Sequence, residues 1–167
     1  MISAIKAHLT AKLTAAGIPA ARISDDPDQA AEWPPPQVPY AELRTEPERL
    51  ERDGKLSARV YDGATQTTTQ HRRLFRREMT VRLAIVHKTE AGLDALVTAF
   101  LAGLDKGFAD GNQTILVSPR QAKWGGPEQP RDRRRAEILI AFQGGVYTTD
   151  AGLGTLQDVN MPTVNFS

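Results

Sequence analysis

The run EMTVRLAIVHK, Glu78 to Lys88, passes without a break into the helical pattern TEAGLDALVTAFLAGLDKG, and this switch of period constrains the fold more than any other feature. Met79, Val81, Leu83 and Ile85 alternate with Thr80, Arg82 and Ala84, ahead of Lys88, so one face of a strand is apolar and the other mixed. Thr89 is placed to cap a helix in which Leu93, Leu96, Val97, Phe100, Leu101 and Leu104 form a broad stripe, with Gly107 as its stop. Ala91, Ala95, Ala99 and Ala102 keep that helix slim. A strand and a helix with matching apolar faces predict a sheet covered by helices.

The remaining segments fit around this unit. Ile2, Ile5, Leu9 and Leu13 recur at helical spacing ahead of Gly17, which predicts a one-faced opening helix rather than an export signal. Five prolines in SDDPDQAAEWPPPQVP, Ser24 to Pro39, exclude helix and central strand and leave a loop before a short edge strand at Val38 to Leu43. KLSARVY, Lys55 to Tyr61, alternates like a strand, and Asp62-Gly63 suits a tight hairpin turn into the threonine-rich ATQTTTQH. The polar stretch 44–77 therefore reads as an extended arm, which cannot stabilise itself alone and needs a neighbour. TILVS, Thr114 to Ser118, and RAEILIAFQ, Arg135 to Gln143, are strands separated by a sixteen-residue loop with three prolines. The expected fold is α+β: a mainly antiparallel sheet with two helices packed on one face and long projecting hairpins and loops. It forms a single domain over residues 1–147, followed by a C-terminal extension, 148–167.

Chemistry is sparse. The chain has no cysteine, which excludes thiolate catalysis, disulfides and cysteine-built zinc sites. Of its three histidines, His8 and His87 have no carboxylate or second histidine at ligand spacing. Asp25, Asp26 and Asp28 lack the spacing, central glycine and closing glutamate of a calcium loop. Phosphate-binding glycine loops and a nucleophile elbow are also missing. This pattern predicts no enzyme, no cofactor and no metal. No segment has the apolar length of a membrane span, which predicts a soluble chain.

Two arginine clusters stand out: Arg72, Arg73, Arg76 and Arg77 around Leu74 and Phe75, and Arg131, Arg133 and Arg134 ahead of the last strand. Solvated surface, contact between subunits and nucleic-acid binding all remain open for them. A formal net charge of +1 weighs against a dedicated nucleic-acid domain. The halves differ mildly, with net −2 over residues 1–62 and +3 over 63–167. That sign suits head-to-tail contact between copies, basic cluster against the acids of DDPDQ and EPERLERD. The candidate interface residues are Arg72, Arg73, Phe75, Arg76, Arg77, Trp124, Arg131, Arg133 and Arg134.

This order of elements resembles the tail terminator, or tail completion, proteins of tailed bacteriophages. The likeness is carried by ISAIKAHLTAKLTAAGI, PPPQVPYAEL, MTVRLAIVHKTEAGLDALVTAFLAGL and RAEILIAFQ. It implies a non-enzymatic virion protein, assembled in the host cytoplasm and placed at the neck end of the tail. There it forms a homo-oligomeric ring, commonly a hexamer, that caps the tail tube and ends its polymerisation. The implied partners are copies of itself, the tail tube protein, the head-side connector and, in a contractile tail, the sheath, with DNA only as passing cargo. A head-tail stopper or neck protein is the nearest alternative, and a nucleic-acid-binding accessory protein the next. The long threonine-rich arm and the extension after Tyr147 depart from the family pattern.

Overall fold

A computed structural model describes residues 1–25, 37–64, 67–111, 113–125 and 133–154. The elements run in the order α1 (Ile2–Ala15), a 3-10 turn (Ala20–Arg22), β1 (Ile23–Ser24), β2 (Tyr40–Thr45), β3 (Arg49–Asp62), β4 (Thr67–His87), α2 (Glu90–Gly103), β5 (Gly107–Asp110), β6 (Gln113–Trp124) and β7 (Arg134–Gly154). Among the described residues the strands form one seven-stranded sheet in the order β1-β2-β4-β7-β6-β5, with β3 also paired to β4. Only the short β1 ladder is parallel among the resolved registers. The α+β class is as expected.

The chain divides into two compact units. The first comprises residues 1–50 and 77–144, the second 51–76 and 145–167. In the first, the alternation of β4 does what its sequence requires: Met79, Val81, Leu83 and Ile85 are all buried, beside Ala41 and Leu43 of β2 and Ile138, Ile140 and Phe142 of β7. Ile5, Leu9 and Leu13 of α1 and Leu93, Val97 and Phe100 of α2 complete this cluster, and the two helices pack on each other. Burying such a side chain stabilises by about 1.5–3 kcal/mol, so this cluster is the main source of folding energy.

Both helices end as their sequences dictate locally. Gly17 has φ +110°, and the amides of Gly17 and Ile18 donate to the carbonyls of Thr14 and Leu13, a left-handed cap that carries Ile18 into the core. The Thr89 hydroxyl accepts from the Gly92 amide at 3.2 Å, as its capping position predicts.

Several boundaries differ from the sequence reading. α2 stops at Gly103 rather than Gly107, because Leu104 adopts extended dihedrals and Gly107 opens the unexpected strand β5. β2 starts at Tyr40, later than the expected Val38, and β1 partners it at Ala41 and Glu42, so it is not the outermost strand there. β6 continues through Pro119 to Trp124, which shortens the expected loop. An irregularity between Pro119 and Gln121 absorbs the residue that would break register. β5 covers only Gln113 to Leu116, so Pro119 has no second neighbour whose hydrogen bond it would forfeit.

The second unit holds the expected hairpin in a larger form. β3 begins at Arg49 rather than Lys55, and residues 63–66 connect it to β4. The turn is not built on a left-handed glycine, since the Asp62 carboxylate accepts from the Ala64 amide at 3.0 Å. β7 does not end near Gln143 but runs on to Gly154 and is hydrogen-bonded to β4. Gly144 and Gly145 have no side chain to obstruct their neighbours, and β7 passes through both.

Gly107 tests the β5 contact. A Cβ there would lie 2.9 Å from the Ile115 carbonyl oxygen, a backbone atom that cannot swing away, whereas Gly103 has open space around it. Gly107→Ala is expected to destabilise the protein by about 1–3 kcal/mol in urea titration, and Gly103→Ala to leave it unchanged or slightly more stable.

Candidate assembly surface

Every side chain of the buried apolar cluster belongs to the first unit. Among the residues of the second unit whose burial is described, Gln70 and Gly145 are the buried ones. The unit nevertheless carries Tyr61, Leu74, Phe75, Val146 and Tyr147 as exposed large hydrophobic side chains. The ribbon of β3, β4 and β7 thus carries apolar groups that lie outside the buried cluster of the described residues. Exposed large hydrophobic side chains that form a contiguous patch mark contact surfaces, whereas single ones are ordinary.

The first arginine cluster spans both units. Arg73, in the second, is ion-paired to Asp53, and its side chain runs beside Gly145, whose missing Cβ leaves room for the Arg73 stem and the Tyr147 ring. Arg77, in the first, holds Glu48 with two bonds, Nε to Oε1 at 2.6 Å and Nη2 to Oε2 at 2.8 Å. The Glu48 bond is the main reason the Arg77 guanidinium holds its proton more firmly than usual. Two of the four arginines thus meet acids of their own EPERLERD segment. Sequence reading offered that segment to a neighbouring copy. Arg72 and Arg76 are exposed, as are Leu74 and Phe75 at 39% and 37%.

The second cluster is only partly in view. Arg131 lies outside the described residues, as do Asp26 and Asp28 of the acidic loop. Arg133 is half-buried, and Arg134 opens β7 with its side chain exposed. Arg135 bridges Glu42 of β2 and Glu137 of its own strand, at 3.5 and 3.1 Å. Trp124 sits at the end of β6, 48% exposed, in an open groove of about 600 Å³ shared with Glu90, Ala91 and Asp94 of α2.

Among the described residues no group of three or more His, Cys, Asp or Glu could hold a metal ion, and no helix is long and apolar enough to cross a membrane. His87 accepts from the Thr89 amide at 3.1 Å, and its ring occupies the space a Cβ at Gly92 would need. His8 stacks on Phe108 with ring centroids 4.2 Å apart, and its Nε2 is buried without a hydrogen-bond partner. Nearby, Lys12 pairs with Asp105 at 2.7 Å, which lowers the Asp105 pKa.

Comparison with known proteins gives a distant structural likeness. No family model matches the chain, and no curated protein does. Among solved structures it is similar to a chain from the virion of a native gene transfer agent particle, with 17% identity, a TM-score of 0.47, and coverage of 84% of this chain and 94% of that one.

Two measurements follow from this geometry. Desolvation and, secondarily, the Lys12 charge lower the His8 pKa below its ordinary 6.5, with Asp105 opposing. The unfolded chain then binds the proton more readily, so the contribution of His8 is full above about pH 6.5 and is lost as pH falls through the lowered value. His8→Phe is expected to flatten that part of a stability-against-pH curve. A double-mutant cycle on Arg77 and Glu48 is expected to give a coupling of about 1 kcal/mol, against a few tenths for the more exposed Arg82–Glu46 pair.

Proposed function

We propose that this chain is a structural protein of a phage-like virion that assembles with copies of itself into a ring at the end of the tail tube. The observation that carries the proposal is the second unit, a β ribbon whose Tyr61, Leu74, Phe75, Val146 and Tyr147 are exposed large hydrophobic side chains outside the described buried cluster. Such a ribbon gains stability when another chain covers it. Copies of the same chain are the simplest source of that cover, and a heterologous contact repeated around an axis closes into a ring. The order of elements, helix then β arm then strand-helix unit then closing hairpin, is the order for which the tail terminator resemblance was drawn.

In this role the ring caps the tube, ends its polymerisation and presents its other side to the head-side connector. The first unit supplies the rigid body, since its core is complete without a partner. The exposed side chains of Trp124 and Arg134, and the half-buried Arg133, add polar and aromatic surface for the tube or connector.

The test is native mass spectrometry and negative-stain imaging of the purified chain, alone and mixed with assembled tail tubes. Rings, or tube ends closed by rings, are expected. A chain that stays monomeric and leaves tube ends bare under both conditions contradicts the proposal. A salt-sensitive shift of a DNA probe by the monomer points instead to nucleic-acid binding.

A further inference from the structure

Aspartate is followed by glycine three times in the chain, at Asp53-Gly54, Asp62-Gly63 and Asp110-Gly111. In such a pair the glycine nitrogen can attack the carboxyl carbon of the preceding side chain, because no Cβ on the second residue shields it. The fold treats the three carboxylates differently. Asp53 lies within β3 and is drawn across to β4, where Nε and Nη2 of Arg73 both hold its Oδ2. Asp110 ends β5, and its Oδ2 meets the Met1 ammonium at 3.2 Å and the Gln113 side-chain amide at 3.4 Å. Asp62 ends β3 in an exposed turn, with Gly63 and Ala64 also exposed, and its Oδ1 accepts from the Ala64 amide at 3.0 Å. A bond to the amide two residues on bends the carboxyl forward along the chain, over the intervening nitrogen of Gly63.

We infer that Asp62-Gly63, at the head of the β3–β4 hairpin, is a self-modification site at which aspartate converts to isoaspartate. The Gly63 nitrogen bonds to Cγ of Asp62, and its proton leaves with the carboxyl hydroxyl as water, closing a cyclic imide. Water then adds to one imide carbonyl and the bond from that carbonyl to nitrogen breaks. Opening at Cγ restores aspartate. Opening at the backbone carbonyl leaves the chain running through Cβ and Cγ, with the former backbone carboxyl as the free acid. The water lost on closing is regained, nothing is oxidised or reduced, and no partner chain is needed. The turn gains one methylene in its main chain, and its acceptor moves away from the Ala64 amide. Orientation governs such an intramolecular attack. The carboxyl held over Gly63 therefore reacts first, while those drawn to Arg73, or to Met1 and Gln113, are kept from the nitrogens that follow them.

The experiment incubates the full-length wild type in heavy-oxygen water at neutral pH and physiological temperature, native and in denaturant. Peptide mapping by mass spectrometry with electron-transfer fragmentation then locates isoaspartate and incorporated heavy oxygen. In the native chain both are expected to accumulate at Asp62 several times faster than at Asp53 or Asp110, whereas in denaturant the three sites react at comparable rates. Gly63→Ala is the second variant: a Cβ there meets nothing closer than Tyr61 Cε1 at 3.9 Å, so the turn accommodates it. Circular dichroism melting checks that this variant keeps its fold, and most of the conversion at Asp62 is expected to be lost. Native conversion at Asp53 or Asp110 as fast as at Asp62 overturns the inference. So does an Asp62 that stays intact natively while the denatured chain converts, or a Gly63→Ala variant that converts as fast as the wild type.

Discussion

Burial of the apolar face of β4 is the constraint on which everything else turns. Met79, Val81, Leu83 and Ile85 are nearly or fully inaccessible, and the helices, β2 and β7 are arranged to make them so. Their alternation sets which face of the sheet is inside, because a slip by one residue would expose all four. The same strand is far longer than its apolar segment. Toward its start the pattern gives way to Arg77, Arg76, Phe75, Leu74, Arg73 and Arg72, which lie outside the described buried cluster.

Where the apolar pattern stops, charge pairing takes over. Glu48 and Asp53 answer Arg77 and Arg73, so the acids just before and within β3 satisfy cations of the strand beside it. This pairing satisfies Arg73 and Arg77 within the chain itself. The near-zero net charge itself follows from composition, 21 Lys plus Arg against 20 Asp plus Glu. Individual pairs of this kind are worth little.

Sequence patterns revealed the elements that fold on local rules. The stripe Ile5, Leu9, Leu13, the Thr89 cap and the alternation of Ala136, Ile138, Ile140 and Phe142 were all readable, because each depends on residues close in sequence. Elements that depend on distant partners were not. β5 is four residues long and is defined by its ladder with β6, and β1 by a two-residue pairing with β2. The passage of β7 through two glycines reads locally as a turn. Only the space taken by Met1 beside Gly144, and by Arg73 and Tyr147 beside Gly145, gives those glycines a packing role. For the assembly surface, the sequence drew attention to Arg72 to Arg77 and to Phe75 among them. It did not show that Asp53 and Glu48 occupy two of those arginines, because charge pairing across strands needs the register.

The central claim is that the second unit owes its final stability to another chain, whereas the first is complete in itself. Amide hydrogen exchange, read segment by segment in the free and the assembled protein, tests this most directly. The account predicts that amides of β3, the start of β4 and β7 beyond Gly145 exchange fast in the free chain and slow greatly on assembly, while those of α1, α2 and Val81 to Val86 stay equally protected. Equal, strong protection of both units in the free chain, unchanged on assembly, would contradict it.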